Sequence, residues 1–466
     1  MEQLKLDANR TTRSTTDRGE HAVVMGTCGL PQGWLIVNLG ALLHPVSKRQ
    51  RRTEIHDDTN YTLLSVALYA RGVSEKERLQ GQDIKTKTWY EVQWGDFLLL
   101  KIWARKGSYG FVKERYENPI VSADYPILAL EESKVDRSFL DYCLSRPCVW
   151  KNLGSGAKGS TSRQRVHERD FANFIDVSLP PLPEQRAIAR VLRTVQEAIE
   201  ATERVIEAAK ELKRSMMEYL FTYGPVPVDQ ADQVELQETE FGSVPELWRI
   251  IALEKCATVQ TGIAKGRKGT TEEMISVPYL RVANVQDGFL DLKEIKSIEI
   301  RPSEETRYGL QSGDVLLTEG GDFDKLGRGA IWRDEIPNCV HQNHVFAVRA
   351  DGVVLSPEYL GCLVQTRYSK RYFLNVAHRT THLACINSTK LKALPTPLPD
   401  MQVQGEIASR LESIDSYLSV ETGRRQQLDS LFNSLLHHLM TGKIRVTPTE
   451  TDREGTDSVQ PAGTEG

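Results

Sequence analysis

Two stretches of this chain carry a long helical period, and each follows a larger region patterned for strands. From Glu184 to Tyr223 there is neither proline nor glycine. Within that stretch Ile188, Leu192, Val195, Ile199, Thr202, Ile206 and Ala209 advance by alternating steps of four and three. This is the a/d seam of a coiled coil, with Glu, Arg and Lys on its flanks. Leu212, Met216 and Leu220 are expected to continue it, and Gly224-Pro225 marks the end. About forty residues at ~1.5 Å each make a rod of roughly 60 Å.

The pattern returns after a shift of 219 residues. Ile407, Leu411, Ile414, Leu418, Glu421, Arg425 and Leu428 repeat the register, and Leu212, Ser215, Leu220 and Thr222 fall on Leu431, Ser434, Leu439 and Thr441. Leu435 completes the second stripe, which ends at Gly442. Both helices follow proline-rich lead-ins, Leu179-Pro180-Pro181-Leu182-Pro183 and Leu394-Pro395-Thr396-Pro397-Leu398-Pro399. Gly423 is a blemish inside the second helix, costing about 1 kcal/mol relative to Ala. Two long helices of one register predict an antiparallel pair.

The regions ahead of the helices repeat more faintly. Pro31-Gln32-Gly33-Trp34 matches Pro245-Glu246-Leu247-Trp248, Gly95-Asp96-Phe97-Leu98-Leu99 matches Gly313-Asp314-Val315-Leu316-Leu317, and Gly110-Phe111-Val112 matches Gly329-Ala330-Ile331. Short apolar runs between Gly, Asn and Asp breaks make both regions strand-dominated, with a few helices. The fold class is therefore α+β: a globular domain followed by a long helix, twice. The expected boundaries are a disordered arm over 1–29, a first domain over 30–178, a central helix over 179–224 and a linker over 225–243. A second domain over 244–393, a distal helix over 394–446 and a disordered tail over 447–466 complete the chain.

Composition narrows the class. The chain has 466 residues, 40% of them hydrophobic, enough for a sizeable core and too many for a wholly disordered chain. No run approaches the ~18 apolar residues of a membrane span, and the polar start has no signal-peptide core, so a soluble, cytoplasmic protein is expected. Seven cysteines without a CxxC pair do not read as a disulfide framework. A net charge of −4 rules out a uniformly basic chain but leaves room for local basic patches.

The segment Leu179-Pro180-Pro181-Leu182-Pro183-Glu184-Gln185-Arg186-Ala187-Ile188-Ala189, with Glu218-Tyr219-Leu220-Phe221-Thr222 closing its helix, resembles the central shared region of type I restriction-modification specificity subunits. The run Leu439-Met440-Thr441-Gly442-Lys443-Ile444-Arg445-Val446 resembles their distal shared region, and the likeness spans roughly 30–446. The second lead-in departs: Pro399-Asp400-Met401-Gln402-Val403-Gln404 lacks Glu-Gln directly after the prolines, which leaves a displaced helix start open. The resemblance implies that each domain recognises one half of an asymmetric, split target in double-stranded DNA, with the helices setting the gap. It also implies docking of modification (methyltransferase) subunits, two of them, and of restriction subunits. S-adenosylmethionine, ATP and Mg are then cofactors of those partners, and none is expected in this chain. The alternative is a non-catalytic coiled-coil scaffold whose two divergent domains bind proteins.

Candidate DNA-binding residues are basic or amide-bearing. In the first half they are Lys48, Arg49, Arg51 and Arg52, then Lys101, Arg105 and Lys106. Gly154-Ser155-Gly156-Ala157-Lys158-Gly159-Ser160-Thr161 is a loose GxGxxG match with Ser160 where a phosphate loop needs lysine. It reads better as a loop whose Lys158, Ser160 and Thr161, with Arg163 and Arg165, meet DNA phosphates. The second half offers Lys265, Arg267 and Lys268, then His378-Arg379-Thr380-Thr381-His382, of which Arg379, Thr380, Thr381 and His382 are the candidates. Arg281, Asn284, Gln286, Lys325, Arg328, Gln342 and Asn343 have the chemistry for bidentate base contacts. Neither His378 with His382 nor Cys339, His341 and His344 forms a zinc-spaced set. There is no Asn/Asp-Pro-Pro-Tyr/Phe methylation motif, no complete Walker set and no nucleophile elbow, and Glu294-Ile295-Lys296 has no nuclease partner motif, so no catalytic residue is expected.

Overall fold

The computed structural model describes residues 23–24, 29–86, 88–153, 168–173, 175–264, 274–321, 325–379 and 384–454. The chain packs as two compact units, Met1–Ala201 with Gln426–Gly466, and Thr202–Arg425. Each unit holds one strand-rich domain and half of each long helix.

The helices run Leu182–Tyr223 and Met401–Met440. Their first residues are separated by the same 219 positions as the sequence repeat, so the second helix is not displaced. In the first unit Ile188, Ala189 and Leu192 share a core with Leu436, Leu439 and Met440. In the second unit Leu220 and Phe221 share one with Ile407 and Leu411. The start of one helix therefore lies beside the end of the other, the antiparallel arrangement. Polar seam contacts agree: Lys213 Nζ meets Asp415 at 2.6 Å and Arg425 Nη2 meets Glu203 Oε1 at 2.9 Å.

Two seam assignments are corrected. Leu212 is 53% exposed and Leu431 46% exposed. The alternation of four and three continues from Ala209 to position 213 and from Leu428 to 432, so Lys213 and Phe432 take the seam. Leucine was the wrong guide there; the heptad phase decides which side chain faces inward.

The lead-ins are fixed by a buried glutamine in each half. Gln185 donates from Nε2 to the carbonyls of Pro180 (2.9 Å) and Lys134 (3.2 Å), and its Oε1 accepts from the Asp136 N–H (2.9 Å). Gln404 donates to Pro399 (2.9 Å) and Val354 (2.8 Å) and accepts from the Ser356 N–H (2.8 Å). Asp136 and Ser356 each cap the helix that follows them. The glutamine missing directly after the second prolines is thus supplied by Gln404.

Each domain is built on a four-stranded antiparallel sheet of one spatial order. In the first it is Leu43–Pro45, Ile127–Leu130, Phe97–Leu99, Tyr109–Phe111; in the second, Ala257–Thr261, Val345–Ala350, Val315–Thr318, Gly329–Ile331. Phe97, Leu99, Val315 and Leu317 are fully buried, facing each domain's main core. A second sheet differs: five strands in the first domain, three in the second.

The expected ends are also revised. Val23–Val24, placed in the disordered arm, pairs in parallel with Ile175–Asp176. The linker 225–243 folds into a short 3-10 turn, Val228–Gln233, and a hairpin of Leu236–Thr239 with Gly242–Pro245. Phe241 at its tip packs edge-on against Tyr368 and Tyr372, burying an aromatic ring in an otherwise acidic segment. In the tail, Glu450–Glu454 is helical, and Asp452 accepts both donors of Arg190 at 3.2 and 2.9 Å. That carboxylate is 5% exposed, and the Arg190 bonds hold it well below the usual carboxylate range.

Candidate nucleic-acid interface

The strand order brings several of the described basic candidates of each half to one end of its four-stranded sheet. In the first domain Leu43–Pro45 and Phe97–Leu99 end where Ile127–Leu130 begins, beside the turn at Ala123-Asp124. Lys48 Nζ donates to the Ala123 carbonyl (2.5 Å) and lies 5.0 Å from the Tyr90 ring centre. The Lys101 N–H donates to the Asp124 carbonyl (3.4 Å). Lys106 stands over the Trp103 ring at 4.7 Å. Arg49 and Arg52 are exposed, and Lys101 and Arg105 are half-buried. Two clusters far apart in sequence thus form one rim interleaved with aromatic rings, which suits phosphate and base contact. Arg51 is not part of it. Its Nη2 turns inward to Asp96 at 3.2 Å, where burial pushes the Asp96 carboxyl up against the pull of the guanidinium.

In the second domain the equivalent end gathers around Thr318-Glu319. Thr318 Oγ1 donates to the Lys325 carbonyl and accepts from the Arg328 N–H, both at 3.1 Å. The Glu319 N–H donates to the His344 carbonyl, and His344 Nδ1 contacts the Glu319 carboxylate at 2.5 Å. Gln342 and Asn343 lead into Val345–Ala350 and are half-buried. The Gly320–Gly321 pair binds Ala384–Cys385, which binds His378–Arg379, so Arg379 joins the same region, its guanidinium on the Leu374 carbonyl.

Three second-half candidates have structural tasks. Asn284 is 3% exposed; its Oδ1 accepts from the Arg281 N–H and its Nδ2 donates to the Asp291 and Glu294 carbonyls. Every polar atom of that amide is occupied, so it cannot read a base. Arg281 is bound to the Glu294 carbonyl (3.2 Å) and carboxylate (3.4 Å). Gln286 accepts from Arg328 Nη1 (2.8 Å), an orienting contact for that guanidinium. Lys370, which the sequence offers with Arg367 and Arg371 as a further basic cluster, is held by the fold. It donates to Asp287 and to the Gly327 carbonyl, both at 2.8 Å, and burial pulls its pKa down despite Asp287. Its partners had no local signal, because they lie some eighty and forty residues earlier.

Lys158, Ser160, Thr161, Arg163, Arg165, Lys265, Arg267, Lys268, Thr380, Thr381 and His382 lie outside the described residues. Among the described ones no group of three His, Cys, Asp or Glu side chains could hold a metal ion. His341 is fully buried, with Nδ1 on the Val345 carbonyl (2.7 Å), and burial lowers its pKa. No described helix is long and apolar enough to cross a membrane.

The family model of the type I restriction modification DNA specificity domain matches residues 245–430, the second domain and much of its helix. The MjaVIII specificity subunit of Methanocaldococcus jannaschii is 24% identical over 424 residues, 90% of this chain and 94% of that protein. Along most of its length, the chain is similar to type I specificity subunits. The EcoKI specificity subunit of Escherichia coli K12 is 22% identical over 316 residues, 64% of each chain. The S subunit from M. genitalium shares the fold, with a TM-score of 0.52 at 14% identity over 89% of this chain and 99% of that one. The matched family model is that of a DNA specificity domain, and described basic side chains of this chain collect on one rim in each half.

Proposed function

We propose that this chain is a specificity subunit that reads an asymmetric, bipartite target in double-stranded DNA, one half-site on the basic rim of each strand-rich domain. One observation carries the reading: basic segments far apart in sequence meet at the same end of the same sheet in both halves. The two rims differ in composition, as readers of two different half-sites must. The helix pair acts as the ruler between them. Modification subunits, two in number, and restriction subunits dock on the complex. S-adenosylmethionine, ATP and Mg serve those partners, and this chain catalyses nothing itself. Val205, Leu212, Tyr417, Val420 and Leu431, exposed along the helices, supply apolar surface for such docking.

The test is co-expression with the modification subunit, followed by methylome sequencing of host DNA. A single bipartite motif with a fixed gap, absent without this chain, is the expected result. Removing one matched heptad from each helix shortens the ruler by about 10 Å, roughly three base pairs, and should move the gap while sparing the half-sites. Unchanged methylation from a soluble, assembled complex would sink the proposal.

A further inference from the structure

Two exposed aromatic side chains occupy matching places in the recognition domains, and neither was a candidate from the sequence. In the first domain Asn60–Val66 and Val73–Gln80 form a hairpin, and Tyr69 and Ala70 at its tip have φ of 63° and 54°. That left-handed region is costly for residues with a Cβ and is normally filled by Asn-Gly in a tight hairpin turn. Here it is held in place. The N–H groups of Tyr69 and Ala70 donate to the carbonyls of Lys106 and Gly107, each at 2.7 Å, and the Tyr69 ring lies 5.3 Å from that of Trp150. Tyr69 is still 49% exposed, next to Arg71 and the Lys101–Lys106 rim.

In the second domain Ile275–Leu280 and Lys296–Ile300 form the corresponding hairpin. In each domain the first hairpin strand also pairs in parallel with a later one, Pro119–Val121 or Val340–His341. The second tip is closed by the Gln286 N–H on the Phe289 carbonyl (3.0 Å), and the Gly288 N–H donates to the Gly329 carbonyl (2.8 Å). Both tips therefore dock on the chain at the start of the same strand of the four-stranded sheet: Lys106-Gly107 precedes Tyr109–Phe111, and Gly329 opens Gly329–Ile331. Phe289 is 60% exposed, adjoining the Gln286–Arg328 pair.

An isolated exposed aromatic is ordinary. Two at equivalent tips beside basic rims, one of them on strained backbone, are left unexplained by packing, and strain of this kind gathers at functional sites. We propose that Tyr69 and Phe289 are specificity-determining residues that place an apolar ring against base edges of duplex DNA, one in each half-site. A ring finds a thymine methyl or a partly opened base step, while the neighbouring cations hold phosphates. The inference rests on the DNA-reading proposal above.

The variants are Tyr69→Asn, which tolerates the left-handed turn, Tyr69→Phe, which keeps the ring, and Phe289→Ala. Each is assembled with the modification subunit and titrated with the target duplex and with duplexes altered at each base pair. Y69N and F289A should each lose about ten-fold or more in affinity for the target. Their loss of discrimination should be confined to one or two positions, in a different half-site for each, with melting temperature close to the parent. Y69F should discriminate as the parent does. A Y69F that behaves like Y69N would move the contact to the hydroxyl and overturn the ring assignment. Unchanged discrimination in Y69N and F289A, or a loss uniform across all sequences, would overturn it as well. Arg52→Ala with Lys106→Ala separates the two proposals. If this pair weakens binding and the ring variants do not, only the ring contact fails; if none affects binding, DNA reading fails with it.

Discussion

The two halves of the chain solve one junction in two ways. In the second unit the end of the first helix passes into the second domain through the chain itself, and a Cβ on Gly224 would sit 3.6 Å from Trp248. In the first unit the end of the second helix has no covalent link to the first domain. There Arg445 lies 5.9 Å from the Trp34 ring, donates to the Gln32 carbonyl (3.2 Å) and forks onto Glu184 at 2.5 and 2.8 Å. At the 219-residue shift Glu184 becomes Val403 and Arg445 becomes Val226. Charge pairing thus stands where the other half has a peptide connection and apolar side chains. Features shared by both halves, the glutamine lock and the four-stranded sheet, are scaffold. Features that differ, the second sheet and the rim residues, are where two readers of different half-sites would have to diverge.

The shared lock gives the largest expected effect. Gln185→Ala or Gln404→Ala strands three backbone groups, one buried and two part-buried, and should cost about 3 kcal/mol in either half. Urea denaturation of the two variants should show similar losses; a large loss in one half alone would break the equivalence. Arg445→Ala leaves Glu184, only 6% exposed at its side chain, buried without its partner. About 1–2 kcal/mol should go, discounted because Arg445 itself is largely solvated. The loss should appear as protease sensitivity of the segment after Gly442, with the second unit untouched.

A buried histidine also makes the second unit sensitive to acid. His341 belongs to the second unit, and its pKa is lowered by burial, so the neutral ring is the folded form. Its contribution is fully present above the ordinary histidine value of about 6.5 and is lost as pH falls below it, because the unfolded chain takes up the proton first. A melting curve followed from pH 7.5 to 5 should show this loss, and His341→Gln should flatten it. The smallest effect is a gain. Cβ atoms added at Gly405 and Gly423 of the second helix meet nothing within 4 Å. Gly423→Ala should therefore stabilise by about 0.5–1 kcal/mol, read as a rise in melting temperature.

The heptad steps, the proline lead-ins and the terminal glycines were legible in sequence because a helix writes its partner face locally, at a period of 3.5. That was enough for two long helices, their antiparallel pairing and the repeat of domain and helix. Even there the phase mattered more than residue type: Leu212 and Leu431 look like seam residues and face solvent, while Lys213 takes the seam by pairing with Asp415. The basic clusters were visible as composition, but nothing in their spacing said that Lys48 and Lys101 would meet at one turn. Nor could residue type separate Arg52, exposed on the rim, from Arg51, one position earlier and committed to Asp96. Asn284 has the amide of a base reader and spends it on three backbone groups. These outcomes depend on which strands pair, and pairing joins residues tens of positions apart whose contacts leave no local period. The sequence by itself determined the repeat, the helices and the kinds of chemistry available. The tertiary structure decided which cations reach solvent together, which are consumed in the fold, and where two aromatic rings are held out beside them.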